Sequence, residues 1–270
     1  MSSSPINDPK RNTAAIIMAA GQGKRMKDPT RAKVLYEING KPMIHYVVDL
    51  ALELDTGPVV VIVGHQRQLV IDYLGRSHPT IACAVQAEQL GTGHAVMQAE
   101  PALRGFSGDV VVLSGDVPLL TRRTMERLLG HHRATGAVAT ILTAIMQDPT
   151  GYGRMIRNAD GSVKRIVEHR DATDAERAIK EMNSGIYVFD KGKLFEALQN
   201  ISPDNSQHEY YLTDVFEFFW KNQWTVSALV ADSVDEIHGI NTFDQLEQAR
   251  RILASRLGET QGMGSRSVKS

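Results

Sequence analysis

Apolar residues fall in two rhythms along the chain. Apolar runs of the kind that make buried strands stand at Ala14–Ala20, Val59–Val63 and Asp109–Leu113, and Thr80–Val85 reads as another strand. Between them, apolar positions recur every three or four residues. Pro42–Leu54 puts Met43, Val47, Leu50, Ala51 and Leu54 on one helical face and ends at Gly57-Pro58. Gln66–Leu74, His94–Leu103 and Thr121–His132 predict further helices, the last with Thr121 as its cap. Strands alternating with helices in this order predict a mostly parallel α/β sheet.

From Ala137 the rhythm changes. Ala137–Ile145 and Glu181–Phe189 read as strands, and Arg154–Arg157 with Ser162–Glu168 as a hairpin turned at Ala159–Gly161. Leu212–Trp220 reads as a helix, Thr225–Val230 as a strand, and Thr242 caps a last helix striped by Phe243, Leu246, Ala249 and Leu253. The expected fold is α/β: a Rossmann-like mixed sheet, mainly parallel and flanked by helices, with a smaller antiparallel lobe. The expected divisions are a flexible arm over 1–12 and a body over 13–257, then a polar Gly/Ser-rich tail over 258–270. Within the body, 13–136, 137–241 and 242–257 are the two halves and the C-terminal helix.

Composition narrows the classes. With 270 residues, 42% hydrophobic and 23% charged, the chain can bury a sizeable core. A net charge of −1 argues against a general nucleic-acid binder, so any phosphate site must be a local cluster. No apolar stretch reaches membrane-spanning length, and the polar first residues do not read as a secretion signal. The single cysteine, Cys83, sits in an apolar stretch and is expected in the core; a cytoplasmic location fits.

The chemistry is expected at strand ends, where parallel sheets place ligands. The first apolar run stops at Gly21 and Gly23, followed by Lys24 and Arg25. Glycines there let phosphate oxygens approach backbone N–H groups, and the cations offset the charge. The spacing is neither a P-loop nor a dinucleotide fingerprint, since Met26 stands where a third glycine would be. Taken alone, the turn fits a solvated basic loop equally well. Asp116, after the strand ending at Gly115, can hold a Mg²⁺ that bridges phosphates or simply charge a helix start; Asn241 can supply a second oxygen or cap a turn. Gln86, before Gly91-Thr92-Gly93, offers the donor and acceptor that match uracil or thymine, without excluding cytosine. Lys33 can reach a phosphate. Glu168 and Asn183 can point into a cleft toward sugar hydroxyls, or sit as edge polar groups.

Several stretches together resemble the sugar nucleotidyltransferases: A-A-G-Q-G-K-R-M, Q-A-E-Q-L-G-T-G-H-A, G-D-V-P-L-L, D-P-T-G-Y-G-R, I-V-E-H-R-D-A-T, E-Y-Y-L-T-D and G-I-N. Within that family the likeness is nearest to the N-acetylglucosamine-1-phosphate uridyltransferase branch, and it runs from about Ala14 to Leu253. It implies that Ala20, Gly21, Arg25 and Lys33 bind the triphosphate and that Gln86, Gly91 and Thr92 read uracil. Asp116, following Gly115, and Asn241 would ligate Mg²⁺. Gly153, Glu168, Asn183 and Thr213 would contact the sugar and its phosphate, making 137–241 the sugar-binding half. The implied partners are UTP and a sugar-1-phosphate, with neither nucleic acid nor membrane; the implied product is UDP-N-acetylglucosamine, a cell-wall precursor.

Ser114 departs from the tyrosine common beside the Gly-Asp pair. No hexapeptide repeats follow the last helix, so this chain is expected to carry no β-helix acetyltransferase domain, and a monomer is expected without that trimerising element. Two alternatives stay open: transfer to another sugar-1-phosphate such as glucose-1-phosphate, from UTP or dTTP, and a non-catalytic nucleotide-sugar-binding subunit.

Overall fold

The computed structural model describes residues 12–23, 26, 31–54 and 56–264, with the side chains of the last helix described to 256. The first strands are β1 (Thr13–Ala19), the short hairpin β2 (Glu37–Ile38) and β3 (Lys41–Pro42), β4 (Val59–Val63), β5 (Ala82–Val85) and β6 (Asp109–Ser114). Helices α1 (Met43–Glu53), α2 (Arg67–Ser77) and α3 (Thr92–Met97) connect β3 to β4, β4 to β5 and β5 to β6. After α4 (Arg122–Thr135) come β7 (Ala139–Ile145), β8 (Arg154–Arg157), β9 (Val163–Val167), α5 (Asp174–Arg177) and β10 (Glu181–Asp190). The chain ends with α6 (Lys191–Leu198), α7 (Val215–Lys221), β11 (Val226–Val230) and α8 (Phe243–Gly264).

One sheet runs through the whole body in the order β11-β7-β10-β6-β1-β4-β5, with the β8–β9 hairpin joined through β10. β1 pairs in parallel with β4 and with β6, and β4 with β5. β10 runs antiparallel to both β6 and β7. The expected fold class holds, and the antiparallel half is hydrogen-bonded into the same sheet through β6–β10.

The runs that form β1, β4 and β6 are buried on both faces, as their composition requires. Ala15, Ile17, Val61 and Val63 pack on one face with Ile44 and Val47 of α1, Val70 and Leu74 of α2, and Leu128 of α4. Ala14, Ile16, Val60 and Ile62 pack on the other with Val96, Leu194, Phe216 and Phe219. A third cluster seats Leu246 and Ala249 of α8 against Tyr36, Ile38 and Met43.

Three expectations change. Cys83 is exposed: β5 is an outermost strand and most of its residues face outward, so an apolar sequence there does not mean burial. The helix expected over His94–Leu103 begins at Thr92 and ends at Met97, and Pro101 restarts the chain as a 3₁₀ turn over Pro101–Leu103. The final helix continues to Gly264, beyond Leu257. Of the expected arm over 1–12, residues 1–11 lie outside the described residues.

β1 is the pivot of the topology. From it the chain winds outward through β4 to β5, then returns to place β6 on the other side of β1. The carboxyl ends of β1 and β6 therefore flank the point where strand order reverses, the crevice such sheets use for ligands. The opposite end of the sheet is closed by a buried charge network. Asp109 is fully buried; Arg133 Nε donates to its Oδ2 at 3.3 Å, and His132 Nε2 lies 3.4 Å from its Oδ1. Arg133 also donates to Thr13 Oγ1 at 2.8 Å, tying α4 to β1.

Removing Asp109 would strand these partners without freeing the site at the other end. Asp109→Ala is expected to lower unfolding free energy by about 3 kcal/mol in urea denaturation while nucleotide affinity of the folded fraction stays unchanged.

Candidate active site

The four parallel strands β1, β4, β5 and β6 end along one edge, and a cavity of about 570 Å³ opens there. Its walls include Ala20 and Gly21 after β1, Gln86 after β5, Gly91 and Thr92 at the start of α3, and Asp116 after β6. Lys33 and Asn241, from segments remote in sequence, complete it. The glycine turn, the acidic tip and the late asparagine thus meet in one place. Arg25 and Lys24 lie outside the described residues.

Lys33 sits in a 3₁₀ turn, Lys33–Leu35, and its chain folds tightly against the glycine turn. A side chain at Gly23 would put Cβ 2.8 Å from Lys33 Cβ, and Gly23 has φ +61°, so glycine there permits the approach. Lys33 Nζ donates to Asp116 Oδ2 and, at 2.7 Å, to Asn241 Oδ1. The lysine side chain is mostly buried. Asn241 is held in turn: its amide donates to Gly239 O at 3.0 Å, and its backbone N–H donates to Gln245 Oε1 at 2.7 Å. Backbone pairing from Ile240 N to Asp116 O, 2.9 Å, sets the two loops side by side. Gly115 lies below the cavity wall, its N–H donating to Met18 O at 2.9 Å.

The other wall is built on Gly91. Its φ is +110°, and a Cβ would stand 2.5 Å from Tyr210 O, so only glycine lets the 208–212 segment pack so closely. Thr92 Oγ1 accepts from Leu212 N at 3.0 Å, and Gly93 N donates to Tyr210 O at 2.7 Å. Gln86 is buried; its amide NH₂ donates to Gly91 O at 2.9 Å and faces His94 Nδ1 at 3.1 Å.

Gly153, Glu168, Asn183 and Thr213 are brought together, but beside the cavity and not among the residues lining it. Thr213 Oγ1 donates to Glu168 Oε1 at 2.9 Å, and Asn183 N donates to Gly153 O at 2.9 Å. Asn183 sits at an irregularity in the β10–β7 pairing, where an extra stretch of strand re-aims its side chain. Its amide donates to Tyr187 Oη at 2.7 Å, and its Oδ1 accepts from Gly185 N at 3.2 Å. Gly185 in turn approaches Ser114 of the cavity wall. The 208–214 segment and the end of β6 therefore join the two clusters. Burial pushes the Glu168 carboxyl up, the Thr213 hydrogen bond opposing it. Asp214, beside Thr213, is pushed up to about 6 by burial and then by the charges of Glu168, Glu217 and Asp171.

Sequence reasoning missed Gln89 and Glu209, both lining the cavity. Both stand inside stretches that carry the resemblance, Gln89 in Q-A-E-Q-L-G-T-G-H-A and Glu209 in E-Y-Y-L-T-D, and the docking of the second segment on Gly91 brings Glu209 to the cavity.

A sequence model described as Nucleotidyl transferase matches residues 14–251. The chain belongs to the nucleotidyl transferase family. It is 49% identical over 243 residues to the Bifunctional protein GlmU of Geobacillus thermodenitrificans, covering 90% of this chain and 52% of that protein. It is 48% identical over 246 residues to the protein of the same name from Pelobacter propionicus, covering 91% of this chain and 53% of that one. The chain thus spans about half the length of these relatives. A crystal structure of UDP-glucose pyrophosphorylase complexed with UDP-glucose superposes with a TM-score of 0.72 at 17% identity, covering 91% of this chain and 99% of that one, which shows a shared fold. As a family member the chain is a nucleotidyltransferase, and no helix among the described residues is long and apolar enough to cross a membrane.

The Asp214 shift carries a sign that can be measured. Its folded acid holds a proton up to about pH 6, whereas the unfolded acid loses it near the ordinary value of 3.8. The folded state therefore loses ground between those two values and does not regain it above them. An asparagine does not titrate, so the stability of Asp214→Asn relative to the parent chain is expected to rise from pH 4 to pH 7 in denaturant melts. A constant difference across that range would mean that Asp214 titrates normally.

Proposed function

We propose that this nucleotidyltransferase transfers uridylyl from UTP to N-acetylglucosamine-1-phosphate, yielding UDP-N-acetylglucosamine and pyrophosphate. The observation that carries the reading is the convergence of Lys33, Asp116 and Asn241 beside the glycine turn, in a chain 49% identical to a GlmU relative of which it spans about half the length.

The phosphate end is the glycine turn. Backbone groups of Ala20 and Gly21 approach the triphosphate, Lys33 contributes a charge, and Arg25 is assigned there from the motif alone. Asp116 and Asn241 present oxygens to one cation, Lys33 Nζ, which is the donor chemistry that magnesium prefers. These two residues would hold Mg²⁺, which offsets negative charge on phosphate oxygens when bound.

No side chain has to become a nucleophile. A phosphate oxygen of the sugar-1-phosphate attacks the α-phosphorus of UTP, the bond to the β-phosphate oxygen breaks, and pyrophosphate departs. The chain contributes alignment and charge stabilisation. Gln86 reads the base together with Gly91 and Thr92. With its NH₂ spent on Gly91 O and His94, its carbonyl oxygen is the group left for a ligand. An acceptor opposite ring N3 suits uracil, whose N3 carries a proton, and opposes cytosine, whose N3 is a lone pair. Gly153, Glu168, Asn183 and Thr213 form the sugar side, with the buried Glu168 carboxylate accepting from hydroxyls.

Three assays test this. Pyrophosphate release is expected to be fastest with N-acetylglucosamine-1-phosphate among that sugar, glucosamine-1-phosphate and glucose-1-phosphate; a preference for glucose-1-phosphate would reassign the acceptor. UTP is expected to exceed CTP in kcat/KM by about 100-fold or more, since a mismatched buried polar pair is costly. Asp116→Ala is expected to lower kcat by about 100-fold or more with its circular dichroism unchanged; near-normal turnover would remove Asp116 from the reaction.

A further inference from the structure

A second cluster of metal-ligating groups lies outside the cavity. His45 and Asp49 stand four residues apart on one face of α1, and His78 caps the C-terminal end of α2. One ligand atom from each lies within 4.8 Å of the others. His45 Nε2 is 3.3 Å from Asp49 Oδ2, and His78 Nε2 is 3.0 Å from Asp49 Oδ1. A tetrahedral zinc with bonds of roughly 2.0–2.1 Å places neighbouring ligand atoms about 3.3 Å apart, and each imidazole already stands near that spacing from one of the two oxygens of the Asp49 carboxylate.

The far side of each ring is held as metal-bound histidines usually are. His45 Nδ1 meets Tyr73 Oη at 2.8 Å, and His78 Nδ1 meets Ser77 Oγ at 2.8 Å. The Ser77 hydroxyl proton goes to Tyr73 O at 3.0 Å, so Ser77 Oγ accepts from His78 Nδ1–H. His78 Nε2 faces the carboxylate oxygen across 3.0 Å, a contact that a ring N–H or a bound cation can bridge. His78 is buried and Asp49 is half-exposed, leaving one open side for water. Lys41 Nζ, 3.8 Å from Asp49 Oδ2, is exposed to solvent.

We propose that His45, Asp49 and His78 form a binding site for a zinc-class divalent cation, clamping the end of α2 to α1. Two imidazoles and one carboxylate suit zinc or cobalt and disfavour magnesium, which wants oxygen alone. The clamp bears on the cavity mechanically. Ile44, next to His45, packs under Gly115, where a Cβ would stand 2.9 Å from Ile44 Cδ1.

The test titrates the full chain with Co²⁺ alone, in the absence of nucleotide, and follows the visible ligand-field band; Zn²⁺ displacement and melting temperature are read in parallel. The expected result is one cobalt per chain with a nitrogen-ligand band, displaced by Zn²⁺ and not by Mg²⁺, and a higher melting temperature with Zn²⁺. His78→Gln and Asp49→Asn are expected to weaken binding by more than about tenfold, and Asp116→Ala to leave the band intact. If His78→Gln does not fold, the half-exposed Asp49→Asn decides. Absence of a band in the parent chain, or a band unchanged in Asp49→Asn, or one lost only in Asp116→Ala, would overturn the site; the first outcome leaves a proton-linked His–Asp pair.

Discussion

A single ammonium holds the cavity together. Lys33 Nζ contacts Asp116, 83 residues away, and Asn241, 208 residues away, and neither contact follows from local structure. Taking the lysine and the carboxylate partly out of water costs free energy that their mutual attraction must offset. The arrangement is therefore weak evidence for stability. Its value is positional: it draws the glycine turn, the end of β6 and the loop before α8 onto one point. In the proposed reaction an entering triphosphate brings its own negative charge, and the same lysine can share its donors between protein oxygens and phosphate.

The sheet makes that convergence possible. Reversal of strand order around β1 places the ends of β1 and β6 side by side, with β10 antiparallel next to β6. Because the antiparallel half continues the same sheet, Asn183 and Gly185 reach the edge of the cavity wall at Ser114 through backbone pairing. The 208–214 segment closes the other side, docked on Gly91 and Thr92. The cluster of Gly153, Glu168, Asn183 and Thr213 thus stands in a fixed relation to Gln86, Gly91 and Thr92, which is what the proposed alignment of two substrates requires.

Buried strands were legible because burial on both faces demands unbroken apolar sequence: Val59–Val63 coincides with β4 residue for residue. The Thr121 cap was legible for an equally local reason, and Thr124 N donates to its Oγ1 at 3.2 Å. Cys83 misled because an apolar edge strand and an apolar central strand look alike in sequence; only strand order tells them apart. The short α3 follows from Pro101 and from the docking of Tyr210 on Gly93, the second of which is tertiary. In the site, the glycine turn, Gln86 and Asp116 could be placed at strand ends by topology. The bridging role of Lys33 and the use of the Thr92 hydroxyl to hold Leu212 N depend on contacts 83 to 208 residues apart in sequence, which periodicity does not encode.

The shared cation is the point on which the functional reading turns, and Asn241 tests it with least disturbance, because its side chain is neutral. The measurement is the Mg²⁺ concentration giving half-maximal pyrophosphate release, compared between the parent chain and Asn241→Ala. If Asp116 and Asn241 hold one metal, that concentration rises by about tenfold or more, with UTP saturation restored at high Mg²⁺. An unchanged Mg²⁺ requirement in a folded Asn241→Ala would contradict a shared metal site.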